Sequence, residues 1–492
     1  MSQFVTTSQV EAVVGELRRQ QVMDIVRGAT FVGTLLLAWV SLRPFTDLEN
    51  MQIGDVGTGN ELPTYATYGG IAVLTIGLAM RDNMRALTTL LSPAFMLFGG
   101  WVLVTVLLSL DPATSIKRFA LTACVIAVTA TLMLLPKSQN ELMRWFSIAA
   151  LALLAVCYLG ILLAPHLSIH QITDAQEPSL AGNWRGSFGH KNEAAAVMAM
   201  LLFLGIYAAR SGAWLSGAAI VGLASLFLLY SAGKSSLALC FVVLVLTSLA
   251  SVVRSFWVRA VMLLGPLLVL NMLSVGTVMS DSLAEIAKAL PLDTSFTGRT
   301  DIWAFAVQAL QERLPTGYGF QSFWGSSAIQ GLPEGKEWAA FASHSHNGYL
   351  DAALGMGLPG LALLLVVLAV EPLRNFHRAD LGGNNGPLMM ALLRIWLFGL
   401  YLSSMESFFL DRASPLWFTF LLAVFGLHYL ARFRVRECGS CVSRTRCSAL
   451  RAAPQSRDPH LLDGTMDPGS AAHHASSGVL RSIRGTTFPT SP

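Results

Sequence analysis

Charge is scarce along this chain of 492 residues, because Asp, Glu, Lys and Arg together make up only 13% of it. Soluble proteins carry roughly 25% charged residues and use them to cover their surface. Hydrophobic residues reach 53% here. The composition therefore excludes an ordinary soluble protein and predicts one that crosses a membrane several times.

The chain also has few cysteines and a small net charge. Three of the six cysteines lie inside apolar runs, and three cluster in the polar tail, at Cys438, Cys441 and Cys447. The spacing of the tail cysteines faintly suggests zinc, but no histidine is near. The net charge of +4 comes from scattered residues, which indicates no nucleic-acid-binding surface. We expect no cofactor, no metal and no nucleic acid partner.

Apolar stretches of about 16–24 residues recur along the chain and are long enough to cross a hydrocarbon core as helices. Helices are expected because lipid offers no partner to backbone polar groups. The stretches lie near residues 28–44, 65–80, 93–110, 116–135, 145–165, 192–209, 213–231, 236–252, 257–276, 347–370, 388–408 and 414–431. The predicted fold is an all-α polytopic membrane protein with about 12 transmembrane helices and one large external loop.

The distribution of Lys and Arg in the short loops favours a cytoplasmic location for both termini. The loop at 277–346 is too polar to span and too long for a simple connector, so we predict a small helical subdomain. The predicted segments are a cytoplasmic stretch at 1–27, transmembrane helices 1–9 at 28–276, the external loop at 277–346, transmembrane helices 10–12 at 347–431 and a disordered cytoplasmic tail at 432–492.

Polar clusters with reactive side chains all fall on the predicted outer face, where Glu406 also lies. Basic residues are disfavoured on that face, and an anionic ligand is the simplest reason to keep them there. The four candidates are Arg185, Lys191, Lys234 and Arg299. Together they can meet a diphosphate, since Arg offers a planar fork and Lys a compact charge. Asn192 begins a helix whose N-terminal N–H groups also favour an anion. Snorkelling or loop charges are the alternative for each basic residue alone.

Two histidines, His344 and His346, flank a serine just before an apolar helix. A histidine that titrates near neutrality can take a proton from an attacking sugar hydroxyl. A helix-capping or interfacial role is the alternative, and the spacing does not suit zinc. Tyr349 follows and can stack on a sugar ring, although aromatic residues also gather at membrane interfaces without a ligand.

Four groups of residues, in this order, resemble the O-antigen ligase and polysaccharide polymerase superfamily, and most closely its exopolysaccharide polymerase branch. They are 185–192, 231–236, 298–303 with 317–319, and 344–350 with 355–360. The resemblance covers roughly residues 90–430. Each group alone is a weak signal, and the four together are specific.

The resemblance implies a GT-C-like, metal-independent, inverting glycosyltransferase at the periplasmic face of a bacterial inner membrane. The implied donor is a glycan on undecaprenyl diphosphate. The acceptor is another lipid-linked glycan for a polymerase, or lipid A core for an O-antigen ligase. Membrane lipids surround the protein, and chain-length and export proteins are possible partners. No nucleotide sugar is implied.

The resemblance also implies roles for individual residues. His346, Arg299 and Lys234 match catalytic positions, with His346 as the base. Ligases commonly carry Arg at the position of Lys234, which weakens a pure ligase assignment because Lys cannot form a bidentate fork. The substrate-binding candidates are Arg185, His190, Lys191, Asn192, His344, Asn347 and Tyr349.

A polysaccharide transporter or flippase is the competing class of function. Transport predicts ionisable residues at the middle of the membrane and broken helices in matching halves. Arg394 is the main charge inside a predicted span, whereas the polar motifs lie at one interface. The sequence therefore favours the enzyme. A non-catalytic assembly partner is a third reading.

Overall fold

The computed structural model describes residues 7–42, 44–49, 62–175, 177–289, 299–324, 342–411 and 414–433. The secondary structure of these residues is helical, with a β-bridge between Ile169 and Trp184. The predicted tail, with its three cysteines, lies outside the described residues from 434 onward. Parts of the predicted external loop, at 290–298 and 325–341, also lie outside them.

The α-helices follow one another along the chain with mostly short connections. They are α1 Thr7–Val40, α2 Leu62–Thr88, α3 Pro93–Leu107, α4 Pro112–Leu132, α5 Gln139–Leu163, α6 Pro165–Ser168, α7 Lys191–Arg210, α8 Trp214–Tyr230, α9 Lys234–Val252, α10 Phe256–Leu273, α11 Asp281–Ala289, α12 Arg299–Glu312, α13 Gly348–Leu365, α14 Glu371–Leu381, α15 Pro387–Leu402 and α16 Pro415–Leu430.

Apolar helices occur wherever the sequence predicts a span. Within the described residues, 8 helical segments are long and apolar enough to cross a membrane, and α3, α8, α15 and α16 are shorter apolar helices. Each predicted span overlaps one of these helices. The prediction of an all-α polytopic membrane protein is confirmed. The segment predicted to be the external loop contains α11 and α12.

Polar residues fix where several apolar helices begin. Ser92, Asp111, Ser138 and Ser414 each accept a hydrogen bond from a first-turn N–H, in α3, α4, α5 and α16 respectively. Those N–H groups have no partner within the helix, so a side-chain acceptor stabilises the helix start. Proline follows the cap in α3, α4 and α16, where its missing N–H costs nothing.

The helices differ in how much of their apolar surface is covered. Nearly every residue of α15 and α16 is buried, which places these two helices in the interior. The surfaces of α9 and α10, by contrast, expose large side chains such as Val252 and Trp257, at 80% and 76%. Apolar faces of this extent are unfavourable in water and suit contact with lipid chains.

Two glycines let the loop after α12 lie directly against α13. Gly317 has φ +66°, and a Cβ there would come within 2.4 Å of the Leu354 carbonyl oxygen. Gly357 has φ +69°, and its Cβ would meet the Pro315 oxygen at 2.4 Å. Between them, the N–H of Tyr318 donates to the Leu354 carbonyl at 2.7 Å. This close approach joins α12 to α13, and glycine alone fits it without strain.

A π-helical turn at Val366–Val370 connects α13 to α14 without a loop. Pro372 follows in the first turn of α14. Its ring nitrogen carries no hydrogen for the carbonyl four residues earlier. That carbonyl, on Leu368, accepts a hydrogen bond from the Trp396 indole of α15 at 2.7 Å. The Leu368 carbonyl of this irregular turn thus has its hydrogen-bond donor on a neighbouring helix.

A buried arginine organises one end of the bundle. Arg259 of α10 forms an ion pair with Asp380 of α14, and its Nη1 donates to His377 Nδ1 at 3.2 Å. Its Nε donates to the Ala250 carbonyl at 3.1 Å, and the guanidinium lies 4.7 Å from the ring centre of Phe376. The 19 residues of α9 separate this end from the other by roughly 28 Å.

Candidate functional site

Four helices that carry predicted site residues start at the end of the bundle opposite Arg259. α7 begins at Lys191, α9 at Lys234 and α12 at Arg299, while α13 follows directly after His346 and Asn347. A helix N-terminus carries a partial positive charge from its free N–H groups. Three of the four helices add a basic side chain at their first residue. This end of the molecule is therefore suited to an anion.

The carboxylate of Glu406 is the centre of this site. Its Oε1 accepts hydrogen bonds from Arg299 Nη2 and Asn192 Nδ2, each at 3.1 Å. Its Oε2 lies 3.4 Å from His346 Nδ1. Arg299 Nη1 also donates to the Met405 carbonyl. The side chains of Arg299, His346 and Glu406 remain 17%, 33% and 18% exposed, so a substrate can reach them.

The ionisation state of Glu406 determines which nitrogen of His346 can accept a proton. Burial alone would raise the pKa of Glu406, but the hydrogen bond from His346 and the positive charge of Arg299 lower that pKa to about 2. The carboxylate is therefore ionised and accepts at both oxygens. In the neutral form of the His346 ring, the proton therefore lies on Nδ1 and faces Glu406, and Nε2 carries the lone pair.

The backbone of His346 is held in an unusual conformation. Its φ is +55°, in the left-handed region that side chains other than glycine rarely adopt. The His346 N–H donates to His344 Nδ1 at 3.3 Å, and the two rings lie 4.2 Å apart. The Trp303 indole donates to the Ser345 carbonyl, and the Ser345 N–H donates to Asp351. Strain of this kind persists only where surrounding contacts impose it, and it is frequent in active sites.

Two predicted substrate-binding residues, Asn347 and Tyr349, have buried side chains with partners in the protein. Asn347 Oδ1 accepts from the N–H groups of Tyr349 and Leu350, which caps α13, and its Nδ2 donates to the Ser404 carbonyl. The Tyr349 hydroxyl donates to the Leu400 carbonyl at 2.8 Å. These contacts position the start of α13, and with it His346.

Arg185 is the predicted diphosphate contact that lies deepest in the protein. Its side chain is fully buried, with Nη1 donating to the Phe188 carbonyl at 3.1 Å and Nη2 to the Thr46 carbonyl at 2.7 Å. Burial lowers the pKa of Arg185. The geometry favours a structural role for Arg185, in holding the segment before α7.

The remaining basic candidates line the same end. Lys191 Nζ donates to the Ala232 carbonyl at 3.5 Å, beside the start of α9. Lys234, the first residue of α9, is exposed. The His190 ring is 2.9 Å from the Glu177 carboxylate. Lys191 thus reaches the start of α9 and is next in the chain to Asn192, which contacts Glu406.

The structure therefore unites Arg299, His346 and Asn192, and it adds Glu406, whose role the sequence did not predict. The available signal was an acidic residue at the end of an apolar span, on the same side as the basic motifs. Among the described residues, no three His, Cys, Asp or Glu side chains are placed to hold a metal ion.

Residues 197–365 of the chain match the family described as O-antigen ligase. The chain is also 27% identical over 206 residues to the "Exopolysaccharide production protein ExoQ" of Rhizobium meliloti (strain 1021), which covers 37% of this chain and 44% of the relative. The resemblance to the O-antigen ligase and exopolysaccharide polymerase superfamily is confirmed. The chain spans less than half of the length of this curated relative.

The O-antigen ligase match covers only part of the site. It begins within α7 and ends at the last residue of α13, so it includes Lys234, Arg299 and His346. Asn192 and Glu406 lie outside the matched residues. The Glu406 contacts are therefore a feature that the structure contributes independently of the family match.

Proposed function

We propose that this protein is a membrane glycosyltransferase that transfers or polymerises glycan repeat units from an undecaprenyl-diphosphate donor at the periplasmic face of the inner membrane. The confirmed resemblance to the superfamily supports the class of reaction, and the curated relative supports a role in exopolysaccharide production. The observation that carries the proposal is the Glu406 carboxylate, which holds Arg299 and His346 on its two oxygens.

His346 is the general base in this proposal. Its Nε2 takes the proton of the acceptor hydroxyl, and the oxygen attacks the anomeric carbon of the donor sugar. The bond between that carbon and the diphosphate oxygen breaks, and the electron pair leaves with the lipid diphosphate. A single displacement inverts the configuration. Glu406 stabilises the imidazolium that forms and keeps the ring in its orientation, as the carboxylate of a catalytic triad does.

The leaving diphosphate requires positive charge. Glu406 offsets the charge of Arg299, so Lys191 and Lys234 supply the excess near the site. Arg299 uses two of its five N–H groups on Glu406 and Met405, and the others can donate to phosphate oxygens. Stabilising a departing anion in a preorganised site is usually a large part of catalysis. We propose that these side chains do so without a metal ion.

The decisive experiment uses purified protein in lipid vesicles with diphosphate-linked repeat units as donor. We expect longer lipid-linked glycans with donor alone, the polymerase outcome. A product that forms only when lipid A core is added would identify the alternative, an O-antigen ligase. EDTA should leave the rate unchanged, and restoration of a lost activity by a divalent ion would contradict metal independence. No transfer to either acceptor would overturn the proposed function.

The proposed orientation has a separate test. Cysteines introduced near Lys288, in α11, should react with an impermeant thiol reagent added outside intact cells. Cysteines near Arg378, in α14, should react only after the membrane is opened. Labelling near Arg378 but not near Lys288 in intact cells would reverse the orientation.

A further inference from the structure

The first two N–H groups of α7 donate to histidine rings. The N–H of Lys191 donates to His170 Nε2 at 3.3 Å, and the N–H of Asn192 donates to His190 Nδ1 at 3.1 Å. Helix starts are usually capped by Ser, Thr, Asp or Asn oxygens. An imidazole nitrogen accepts a hydrogen bond only when it carries no proton, so this arrangement requires a fixed form of each ring.

A carboxylate fixes each of the two rings. His170 Nδ1 is 2.8 Å from Asp174 Oδ2, and His190 Nε2 is 2.9 Å from Glu177 Oε2. The proton of each ring therefore faces an acid, and the opposite nitrogen is free to accept from α7. The first pair is almost completely buried, with side chains 1% and 5% exposed, whereas the second is 35% and 53% exposed.

The surroundings of His170 favour its neutral form. Burial lowers the pKa of His170, against the opposing hydrogen bond to Asp174, and the charges of His190 and Arg185 lower it further. The backbone of His170 is also held, since its N–H donates to the Asn183 carbonyl at 2.9 Å. The ring is thus a fixed acceptor at the start of α7.

The helix start that His170 holds leads directly into the proposed active site. Asn192, the second residue of α7, donates through Nδ2 to Glu406 Oε1 at 3.1 Å. That oxygen also accepts from Arg299, and the other oxygen of Glu406 faces His346. A displacement of the helix start would move the amide away from Glu406 and change the orientation of the base.

We propose that His170, held by Asp174, is a positioning residue that fixes the start of α7 so that Asn192 orients Glu406 for the His346 base. The inference rests on the proposed transferase function. His170 touches neither substrate nor reacting atoms; it acts through the helix start. Misplacement of a catalytic group by about 1 Å can cost roughly 100-fold in rate.

The first test compares variants of His170 in the vesicle assay. His170→Ala should lower kcat by roughly 10- to 100-fold and leave KM for the donor unchanged. His170→Gln places an amide oxygen near the position of Nε2 and should restore most of kcat. His166→Ala changes an exposed histidine of α6 in the same segment and is the matched control. Equal losses in His170→Ala and His170→Gln, or full activity in His170→Ala, would overturn the inference.

A double-mutant cycle tests whether His170 acts through Asn192. Coupled residues give non-additive effects, whereas independent residues add. The kcat of the double variant His170→Ala/Asn192→Ala should equal that of the less active of the two single variants. Additive losses would show that His170 does not act through this amide.

The same cycle in thermal unfolding does not depend on turnover. Asn192→Ala should lower the melting temperature by more when it is introduced into the wild type than when it is introduced into the His170→Ala variant. An equal decrease in both backgrounds contradicts positioning, even if no substrate is turned over. An inactive wild type with strong coupling in unfolding would overturn the proposed function and support the positioning contact.

Discussion

The two ends of the helix bundle each contain an arginine, a carboxylate and a histidine, but a different type of residue contacts the other two at each end. At one end Glu406 is central and accepts from both Arg299 and His346. At the other end the arginine is central, since Arg259 contacts both Asp380 and His377. The same three types of side chain therefore produce two different environments for the histidine.

The central residue determines which histidine nitrogen carries the proton. An arginine can only donate, so His377 accepts from Arg259 through Nδ1 and its own proton sits on Nε2. An ionised carboxylate can only accept, so in neutral His346 the proton lies on Nδ1 and Nε2 is free to act as the proposed base. Arg259 is also fully buried, whereas Arg299 is 17% exposed. The comparison predicts catalysis at one end and structural stabilisation at the other.

The largest expected effect is the loss of His346, the proposed base. His346→Ala should lower kcat by roughly 100- to 10,000-fold, with donor affinity nearly unchanged because the lost interaction acts in the transition state. His377→Ala is the matched control and should keep kcat within a few-fold of wild type. His344→Ala should be milder than His346→Ala, since His344 accepts the His346 N–H and contributes to the placement of the loop. A larger loss in His344→Ala would move the base to that residue.

A smaller effect is expected from the two arginines. Arg299→Ala should reduce kcat about 100-fold and weaken donor binding, with partial rescue by Arg299→Lys, which lacks the fork geometry. Arg259→Ala should instead lower stability, by roughly 3–5 kcal/mol for an unpaired partner left behind, and should keep the turnover of the folded protein. Measurements of kcat, donor affinity and denaturant unfolding separate the two. Equal catalytic losses in both variants would break the comparison.

Lys234 should have a modest effect because it is exposed. Lys234→Ala should weaken donor binding by at most about fivefold, and the difference should shrink as salt is raised. Lys234→Arg keeps the charge and should bind as well as wild type. Donor affinity at several salt concentrations is the measurement, with Lys288→Ala of α11 as a control. A loss in Lys234→Ala that exceeds the loss in Arg299→Ala would move the main phosphate contact to α9.

The smallest effect concerns stability and pH. The Glu406 pKa falls from 4.5 in the unfolded chain to about 2 in the protein. Its ionised contacts therefore contribute full stability above pH about 4.5, and this contribution is lost as pH falls through about 2. The melting temperature of Glu406→Gln should lie below that of wild type by a constant gap from pH 8 to 5. The gap should narrow at lower pH, and a gap that widens in acid would contradict the pairing.

The helices were predictable because their causes are local. Long apolar runs with polar residues at their ends indicate spans without any knowledge of neighbouring helices. The sequence also grouped the polar motifs on one predicted face. Arg299 was a candidate as a basic residue on that face and His346 as a histidine before an apolar helix, and in the structure both contact Glu406.

The side-chain contacts in the site were not predictable because they join distant parts of the chain. Glu406 is 107 residues from Arg299 and 60 from His346, and no local pattern brings them together. Arg185 resembled the other basic residues in sequence, yet its side chain points into the loop before α7. A linear pattern gives the side of the membrane on which a charge lies, but burial decides whether that charge meets a ligand or a carbonyl.

The π turn at Val366–Val370 sets the rotation between α13 and α14. A π turn contains one residue more than an α turn, and each residue turns a helix by about 100°. Asp380 and His377 face Arg259 only with that extra residue in place. Deletion of one codon within Val366–Val370 would rotate them away, while everything before the turn, including His346, keeps its register. The start of α13 and the contacts of α14 with Arg259 can therefore be altered separately by mutation.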